Sequence, residues 1–344
     1  MKEKLPEIQL ISVGVVAYNE DSILEGILGD LARQTFSHEK IEILLIDSAS
    51  EDGTKAKMRQ FAEKNEQEGM GFKSIRVLDN PKRIQAAGWN VAIAEYSGDA
   101  LVRIDAHATV SPDFVERVVA VLNSGECVCG GFRPTVIAPG HETPWSRTLH
   151  LAEESAFGSS VASYRREIEA QYVNSLFHGA YRRCVLDTIG GFNEELLRTE
   201  DNDFHYRIRE AGYQIRLDPS IRSAQFIRST LTKMLKQKYG NGYWVGRTVF
   251  VQPKCLEVYH FAPLVFVLGI ALLVILGVLS SWAPFAVCGL LYALVCVLLS
   301  ARAITQSPTR NAQMIALPVV FFGIHFCYGA GTVIGLARGL LLLK

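Results

Sequence analysis

From Phe261 to Ser281 the chain carries no charged side chain, and as a helix that stretch is long enough to cross the roughly 30 Å hydrocarbon layer of a bilayer. In lipid a backbone must satisfy its own N–H and C=O groups, so the segment can only be helical there. A turn at Ser281-Trp282-Ala283-Pro284 follows, with Trp282 suited to the interface, and a second apolar run covers Phe285 to Ser300. Arg302 and Arg310 stand in the polar stretch that follows, and Met314 to Ala337, with Pro318 and several glycines, forms a third run. Such glycine and proline content is tolerated when neighbouring helices cover the backbone. These segments, 261–281, 285–300 and 314–337, are the expected spans of a transmembrane region over 261–344. Arginines near 302–310 and none near 282 place that loop, and with it the large domain, on the cytoplasmic side of a cell inner membrane. Three full crossings would set Lys344 on the other side.

Residues 1 to 260 read differently, alternating charged and apolar stretches as a soluble domain does. At 344 residues and 49% hydrophobic, the chain is long enough for a domain with its own core beside the apolar tail. The formal net charge of +0 gives no reason to expect a nucleic-acid partner. Met1 to Glu7 is charged and Leu10 to Ala17 is short, so no secretory signal is expected and the large domain stays inside. Seven cysteines without a CxxC pair fit a reducing compartment, and Cys127 and Cys129 read as packing residues on one strand.

Along the first 140 residues, strand and helix patterns take turns. Apolar, β-branched runs at Leu10–Val16, Ile41–Ile46, Ile75–Leu78 and Ala100–Ile104 predict strands; helical spacing predicts helices over Ser22–Gln34, Thr54–Glu68, Ala86–Glu95 and Phe114–Asn123. The alternation argues for an α/β fold with a mostly parallel sheet flanked by helices. No GxGxxG follows the first strand and there is no Walker lysine loop, which excludes the usual dinucleotide and P-loop signatures.

The loops after the strands carry the chemistry. Ala17-Tyr18-Asn19-Glu20 follows the first, Asp47-Ser48-Ala49-Ser50-Glu51-Asp52-Gly53-Thr54 the second, and Asp105-Ala106-His107 the fourth. Carboxyl ends of strands in open α/β sheets are where ligands bind. An aromatic ring with nearby carboxylates suits a nucleoside, and Asp105 with His107 suits a divalent ion on a diphosphate. Asp and Ser after a strand also cap the next helix, and Ser50 or Asp52 has that second reading. Likewise His107 reads either as a ligand or as a polar residue at a strand end.

In order and spacing, Val16-Ala17-Tyr18-Asn19-Glu20, Ile46 to Thr54, Asn80-Pro81, Ala86 to Asn90, Ser97-Gly98-Asp99, Asp105-Ala106-His107 and Thr199-Glu200-Asp201 resemble the family 2 inverting glycosyltransferases, over roughly residues 10 to 220. With His178-Gly179-Ala180-Tyr181-Arg182-Arg183 and the apolar tail, the chain is most similar to the succinoglycan-type exopolysaccharide glucosyltransferases. The resemblance implies a GT-A nucleotide-sugar-binding catalytic domain over 1–225. It implies that Ala17, Tyr18, Glu20, Asp47, Ser50, Arg83 and Asp105 bind a UDP-sugar, and that Asp105 and His107 hold the metal. The usual second ligand is a carboxylate; an imidazole instead suits Mn²⁺ better than Mg²⁺. Lys82 and Arg83 read as phosphate contacts or as solvated charges, and Asn90 as facing the sheet edge or water.

An inverting transfer is one displacement in which the acceptor hydroxyl loses its proton as the new bond forms, so a carboxylate is needed on the acceptor side. Arg198-Thr199-Glu200-Asp201-Asn202-Asp203 supplies carboxylates just before an expected helix, Phe204 to Ala211. The family pattern makes Asp201 the base and Glu200 its helper; Asp203 reads as a cap or first-turn residue. A cation on the leaving diphosphate removes any need for a covalent sugar intermediate, so Asp201 with Asp105 is not read as a hydrolase pair.

Arg165, Arg166, Arg198, Arg207, Arg209, Arg216 and Arg222 read as acceptor contacts or as surface. Residues 226–260 form an amphipathic, membrane-interface segment: Leu231, Met234, Leu235, Tyr239, Tyr243 and Trp244 intersperse with Arg228, Lys233, Lys236, Lys238 and Arg247. Tyr239 to Trp244 resembles the family's aromatic-glycine motif, and Arg182, Tyr243 and Trp244 are assigned to the acceptor side. The expected acceptor is a lipid-linked saccharide at the bilayer. Transfer to polyprenyl phosphate itself, or a non-catalytic scaffold role in polysaccharide export, are the alternatives.

Overall fold

The computed structural model describes residues 5–158 and 169–342; Arg165 and Arg166 lie outside them, as does Lys344. By contact the chain divides into two units, Met1–Pro134 with Ser163–Gln225, and Thr135–Ala162 with Phe226–Lys344. The second unit thus draws in a segment from the middle of the expected 1–225 domain.

In chain order the first unit begins β1 (Ile11–Ala17), α1 (Leu24–Ala32), β2 (Ile41–Asp47), α2 (Thr54–Gln67), β3 (Ser74–Asp79) and α3 (Gln85–Glu95). β4 (Ala100–Asp105), β5 (Ala108–Val110), α4 (Phe114–Asn123) and β6 (Val128–Phe132) follow. The chain then enters the second unit through β7 (Thr135–Val136) and α5 (Pro144–Glu154), and returns with β8 (Gln171–Tyr172), β9 (Ala180–Arg182), α6 (Arg183–Ile189), α7 (Glu200–Glu210) and β10 (Ile215–Phe226). The rest of the second unit is α8 (Leu231–Thr248), α9 (Ala262–Leu279), α10 (Ala283–Gln306) and α11 (Leu317–Leu342).

The sheet runs β3-β2-β1-β4-β9-β6-β10-β5. Its first four strands are parallel. β9 then lies antiparallel between β4 and β6, so the sheet is mixed. Both faces are covered, which is why apolar residues run consecutively along β1, β2 and β4 and are not confined to alternate positions. On one face Val13, Val15, Ile43, Leu45, Val102 and Ile104 pack with Leu24, Ile27 and Leu31 of α1 and Val115, Val118 and Leu122 of α4. On the other, Leu44, Ile46 and Leu101 meet Trp89 and Ala92 of α3, Val185 and Leu186 of α6, and Phe204 and Ile208 of α7.

Two glycines set the approach of α3 to β1. A Cβ on Gly14 would sit 3.1 Å from the Trp89 ring, and one on Gly88 would sit 2.7 Å from Val16 Cγ1. Trp89 is fully buried, and truncating such a residue to Ala costs about 3–5 kcal/mol. Ser97-Gly98-Asp99 is explained by the fold: Ser97 donates to buried Glu42, Gly98 has no room for a Cβ beside Ser12, and Asp99 Oδ2 accepts from the N–H groups of Gln9 and Leu10.

Two helix boundaries differ from expectation. α7 starts at Glu200, so the acidic residues form its first turn, where the exposed N–H groups and helix dipole favour negative charge. α10 continues through Arg302 to Gln306, leaving a shorter polar loop before α11. Three helical stretches, Val258–Leu279, Ala283–Gln306 and Ala312–Leu342, are long and apolar enough to cross a membrane.

Candidate active site

The carboxyl ends of the parallel strands bring the acidic loops together. In register, Ala17 pairs with Asp47, Asp47 with Asp79, and Val16 with Asp105, so residues that follow these strands emerge at one sheet edge. The first two loops are laced to each other. Asn19 N donates to Ser50 Oγ at 3.0 Å, Glu51 N to Asn19 Oδ1 at 2.8 Å and Glu20 N to Thr54 Oγ1 at 2.8 Å. Ser50 N donates in turn to Asp47 Oδ1 at 3.3 Å, and Asp47 is buried.

Asn19, Ala49 and Arg83, one in each loop after β1, β2 and β3, have φ of 53°, 55° and 59°. They are the only non-glycine residues with positive φ among those described. That conformation costs a side-chain-bearing residue energy, and such positions persist where the surroundings over-determine them, commonly at ligand sites. Tyr18, 43% exposed, presents its ring at this rim with the Arg83 guanidinium carbon 5.9 Å from its centroid, and Arg83 is paired to Glu51 at 2.9 Å. Lys82, by contrast, is paired to Glu194 at 2.6 Å, and Asn90 pins the same loop through Phe192 and Glu194. Lys82 stays largely exposed in that pair, and Asn90 is half-buried.

The centre of the site is a residue without an assigned role in the sequence reading. Arg103, on β4, is buried, with its guanidinium carbon 5.0 Å from the Trp89 ring, 5.6 Å from Phe192 and 5.9 Å from Phe177. Its fork grips both carboxylate oxygens of Asp201, Nη1 to Oδ1 and Nη2 to Oδ2 at 3.1 Å, and Nη2 lies 3.8 Å from Asp105 Oδ1. Burial disfavours the guanidinium charge, but the two aspartates more than offset it and its pKa is raised. Asp201 and Asp105 therefore flank one fixed cation. The signal in the sequence was a charge inside an apolar strand, Leu101-Val102-Arg103-Ile104, since a buried arginine must have partners.

Glu200 is buried next to Asp201, its Oε2 without a hydrogen bond, and burial followed by repulsion from Asp201 pushes its pKa up to about 8. Its surroundings thus favour the neutral carboxyl. Asp203 accepts from Arg207 Nε at 2.9 Å within α7. Arg207 also donates to the carbonyls of Ile189 and Gly191.

Among the described residues, no three or more His, Cys, Asp or Glu side chains form a metal cage. Gln225 accepts from Arg133 Nη1 through Oε1, which turns its NH₂ toward His107 Nε2 at 2.8 Å; in the neutral ring the proton is then on Nδ1, facing Glu20 Oε1 at 3.4 Å. Asp105 Oδ1 accepts from Gln85 Nε2 at 3.3 Å. The carboxylate oxygens of Asp105 and the imidazole of His107 are donors a hard-to-borderline divalent ion accepts. Asp105 and His107 would supply donors of that kind, with Gln225 at present on the imidazole Nε2 and Gln85 on the carboxylate.

Arg182 is not in this site. β9 runs antiparallel to β4 and pairs Arg182 with Ala100, at the sheet edge opposite Asp105 and about 16 Å along the strand. Its guanidinium donates to the carbonyls of Pro6, Leu122 and Glu126, fastening the start of the chain to the end of α4. Tyr243 and Trp244 lie on α8 in the second unit, their rings edge to face at 5.7 Å.

Comparison with known proteins adds four findings. Residues 12–189 match Glycosyl transferase family 2. The succinoglycan biosynthesis protein ExoA of Rhizobium meliloti (strain 1021) is 28% identical over 229 residues, which are 65% of this chain and 65% of that protein. A dolichyl N-acetyl-alpha-D-glucosaminyl phosphate 3-beta-D-2,3-diacetamido-2,3-dideoxy-beta-D-glucuronosyltransferase from Methanococcus voltae is 22% identical over 338 residues, 96% of this chain and 98% of that one. The match to ExoA thus spans just under two thirds of that relative's length. Among solved structures, the mannosyltransferase PcManGT from Pyrobaculum calidifontis, in complex with GDP-Man and Mn²⁺, has the same fold, with a TM-score of 0.61 at 18% identity over 96% of this chain and 88% of that one.

Proposed function

Since the chain belongs to glycosyl transferase family 2 and is a glycosyltransferase of the GT-A fold, we propose that it moves a hexose, glucose first among them, from a UDP-sugar to a polyprenyl-diphosphate-linked saccharide in polysaccharide biosynthesis. The name of the Methanococcus relative, with its lipid-phosphate-linked sugar acceptor, supports a lipid-linked acceptor, and that of ExoA supports polysaccharide biosynthesis. The apolar helices support work at a bilayer, with the catalytic domain on the cytoplasmic side of the inner membrane.

One observation carries the reading: Arg103 contacts both Asp105, which ends β4, and Asp201, in the first turn of α7. In the proposed reaction Tyr18 lies against the nucleoside, Ala17, Glu20, Asp47, Ser50 and Arg83 shape the pocket around it, and Asp105 faces the diphosphate. The acceptor oxygen bonds to the anomeric carbon while the bond from that carbon to the diphosphate breaks, inverting the centre. Asp201 takes the hydroxyl proton, and Arg103 keeps that carboxylate aimed until then. Glu200, whose burial and proximity to Asp201 favour its neutral form, limits the negative charge beside Asp201. Asp105 and His107 would hold Mn²⁺ or Mg²⁺, which when bound supplies Lewis-acid stabilisation of the charge on the departing nucleoside diphosphate.

The test is a screen of nucleotide sugars with membranes containing this protein, Mn²⁺ and Mg²⁺ compared, followed by product analysis. Sugar added to an existing lipid-linked glycan supports the proposal. Sugar on a lipid monophosphate replaces it with polyprenyl-phosphate sugar synthesis.

A further inference from the structure

We infer that α11 does not cross the bilayer but lies in the membrane surface, paired lengthwise with the basic helix α8, and faces lipid with one side only. The inference concerns the second unit alone and is independent of donor and acceptor.

The first ground is the register of α8 on α11. A Cβ on Gly242 would collide with the carbonyl oxygen of Tyr328, and one on Gly246 with that of Thr332; from the other side, a Cβ on Gly331 would meet Tyr239 O and one on Gly335 would meet Tyr243 O. Leu235 lies against Gly323 at one end, and just past α8 Phe250 lies against Gly339 at the other. Positions rise together on both helices, so they run parallel with backbones in contact along nearly all of α8. That helix carries Lys233, Lys236, Lys238 and Arg247; it cannot sit in hydrocarbon, and a partner in contact along its length shares its depth.

What meets the first half and middle of α11 is the second ground. His325 Nε2 donates to the carbonyl of Phe157 at 2.6 Å, just beyond α5, and its Nδ1 accepts from the Tyr292 hydroxyl at 2.8 Å. α5 is a polar helix with Arg147, His150, Glu153 and Glu154, and Glu153 pairs with Lys238 of α8 at 2.8 Å. Near the middle of α11, a Cβ on Gly329 would strike the carbonyl of Pro263, in the first turn of α9. A crossing helix has its middle at the bilayer centre, whereas the middle of α11 lies level with the point where α9 begins, and its first half lies beside the end of the polar helix α5.

Exposure is the third. In the apolar stretches of α9 and α10, 6% and 11% of residues are buried, against 39% in that of α11. Val319, Phe322 and Phe326 are exposed at i, i+3 and i+7, on the side of the helix opposite Gly331 and Gly335. One apolar face toward lipid, protein on the other and cations on the neighbouring helix make up an interfacial pair.

The experiment places one short epitope tag after Lys344 and, in a second full-length protein, the same tag at Thr309 in the loop before α11. Protease is then added to sealed vesicles of known orientation. If α11 stays in the surface, both tags are cut in the same orientation and both are protected in the other. Cleavage of the two tags in opposite orientations would overturn the inference.

Discussion

Arg103 holds Asp201 by both carboxylate oxygens from a strand position buried among Trp89, Phe177 and Phe192. A guanidinium fork fixes a carboxylate in plane and direction, which a lysine ammonium, a point charge, does not. Arg103 is therefore a positioning residue for the proposed base.

Arg103→Lys keeps a cation beside Asp105 and removes the fork. The expected outcome is a fall in kcat on the order of 10²-fold, the effect of misplacing a reacting group by about 1 Å. The donor KM should hardly move. A variant that lost donor binding and turnover together would show that Arg103 serves the nucleotide instead.

Glu200 gives a pH signature. In the unfolded chain a glutamate ionises near 4.5, and in the fold burial and Asp201 hold its proton up to about 8. Between those values the folded state binds a proton that the unfolded state has released, so this residue lowers stability as pH rises from 4.5 toward 8. Glu200→Gln removes that dependence. Its thermal midpoint should gain on the wild type across this window and level off above it, and its activity should lack the alkaline decline that ionisation beside Asp201 causes. Parallel melting and activity profiles in pH would show the residue ionised throughout.

At the donor site, removing divalent ions with EDTA is expected to weaken UDP binding, measured by calorimetry on the purified protein in lipid nanodiscs. His107→Asp replaces imidazole with a hard oxygen donor. The ratio of activity in Mn²⁺ to that in Mg²⁺ should fall in this variant; an unchanged ratio would remove His107 from the metal site.

Arg182→Ala should act on stability and not on catalysis. It strips donors from the carbonyls of Pro6, Leu122 and Glu126, and a buried acceptor left unsatisfied costs about 1–3 kcal/mol. An early melt with an unchanged acceptor KM is the expected result.

The parallel half of the fold was legible because strands buried on two faces read as β-branched apolar runs, and the acidic loops followed from the ends of those runs. β9 was not legible in the same way. It is three residues long, and its reversed direction carries Arg182 to the far edge, which no local pattern states. The start of α7 was missed because its first turn is acidic and amphipathic spacing begins only at Phe204, while Arg103 was hidden inside a motif read for its aspartate. At the carboxyl end, composition marks α9, α10 and α11 alike. The glycines that distinguish α11 have meaning only beside α8, a relationship between segments some ninety positions apart.

The central claim is that Asp201 accepts the acceptor's proton, and Asp201→Asn, near the same size and unable to take up a proton, tests it most directly. Sugar transfer by this variant, measured beside its UDP affinity, should drop on the order of 10²–10⁴-fold with nucleotide binding intact. Transfer at close to the wild-type rate would contradict the account.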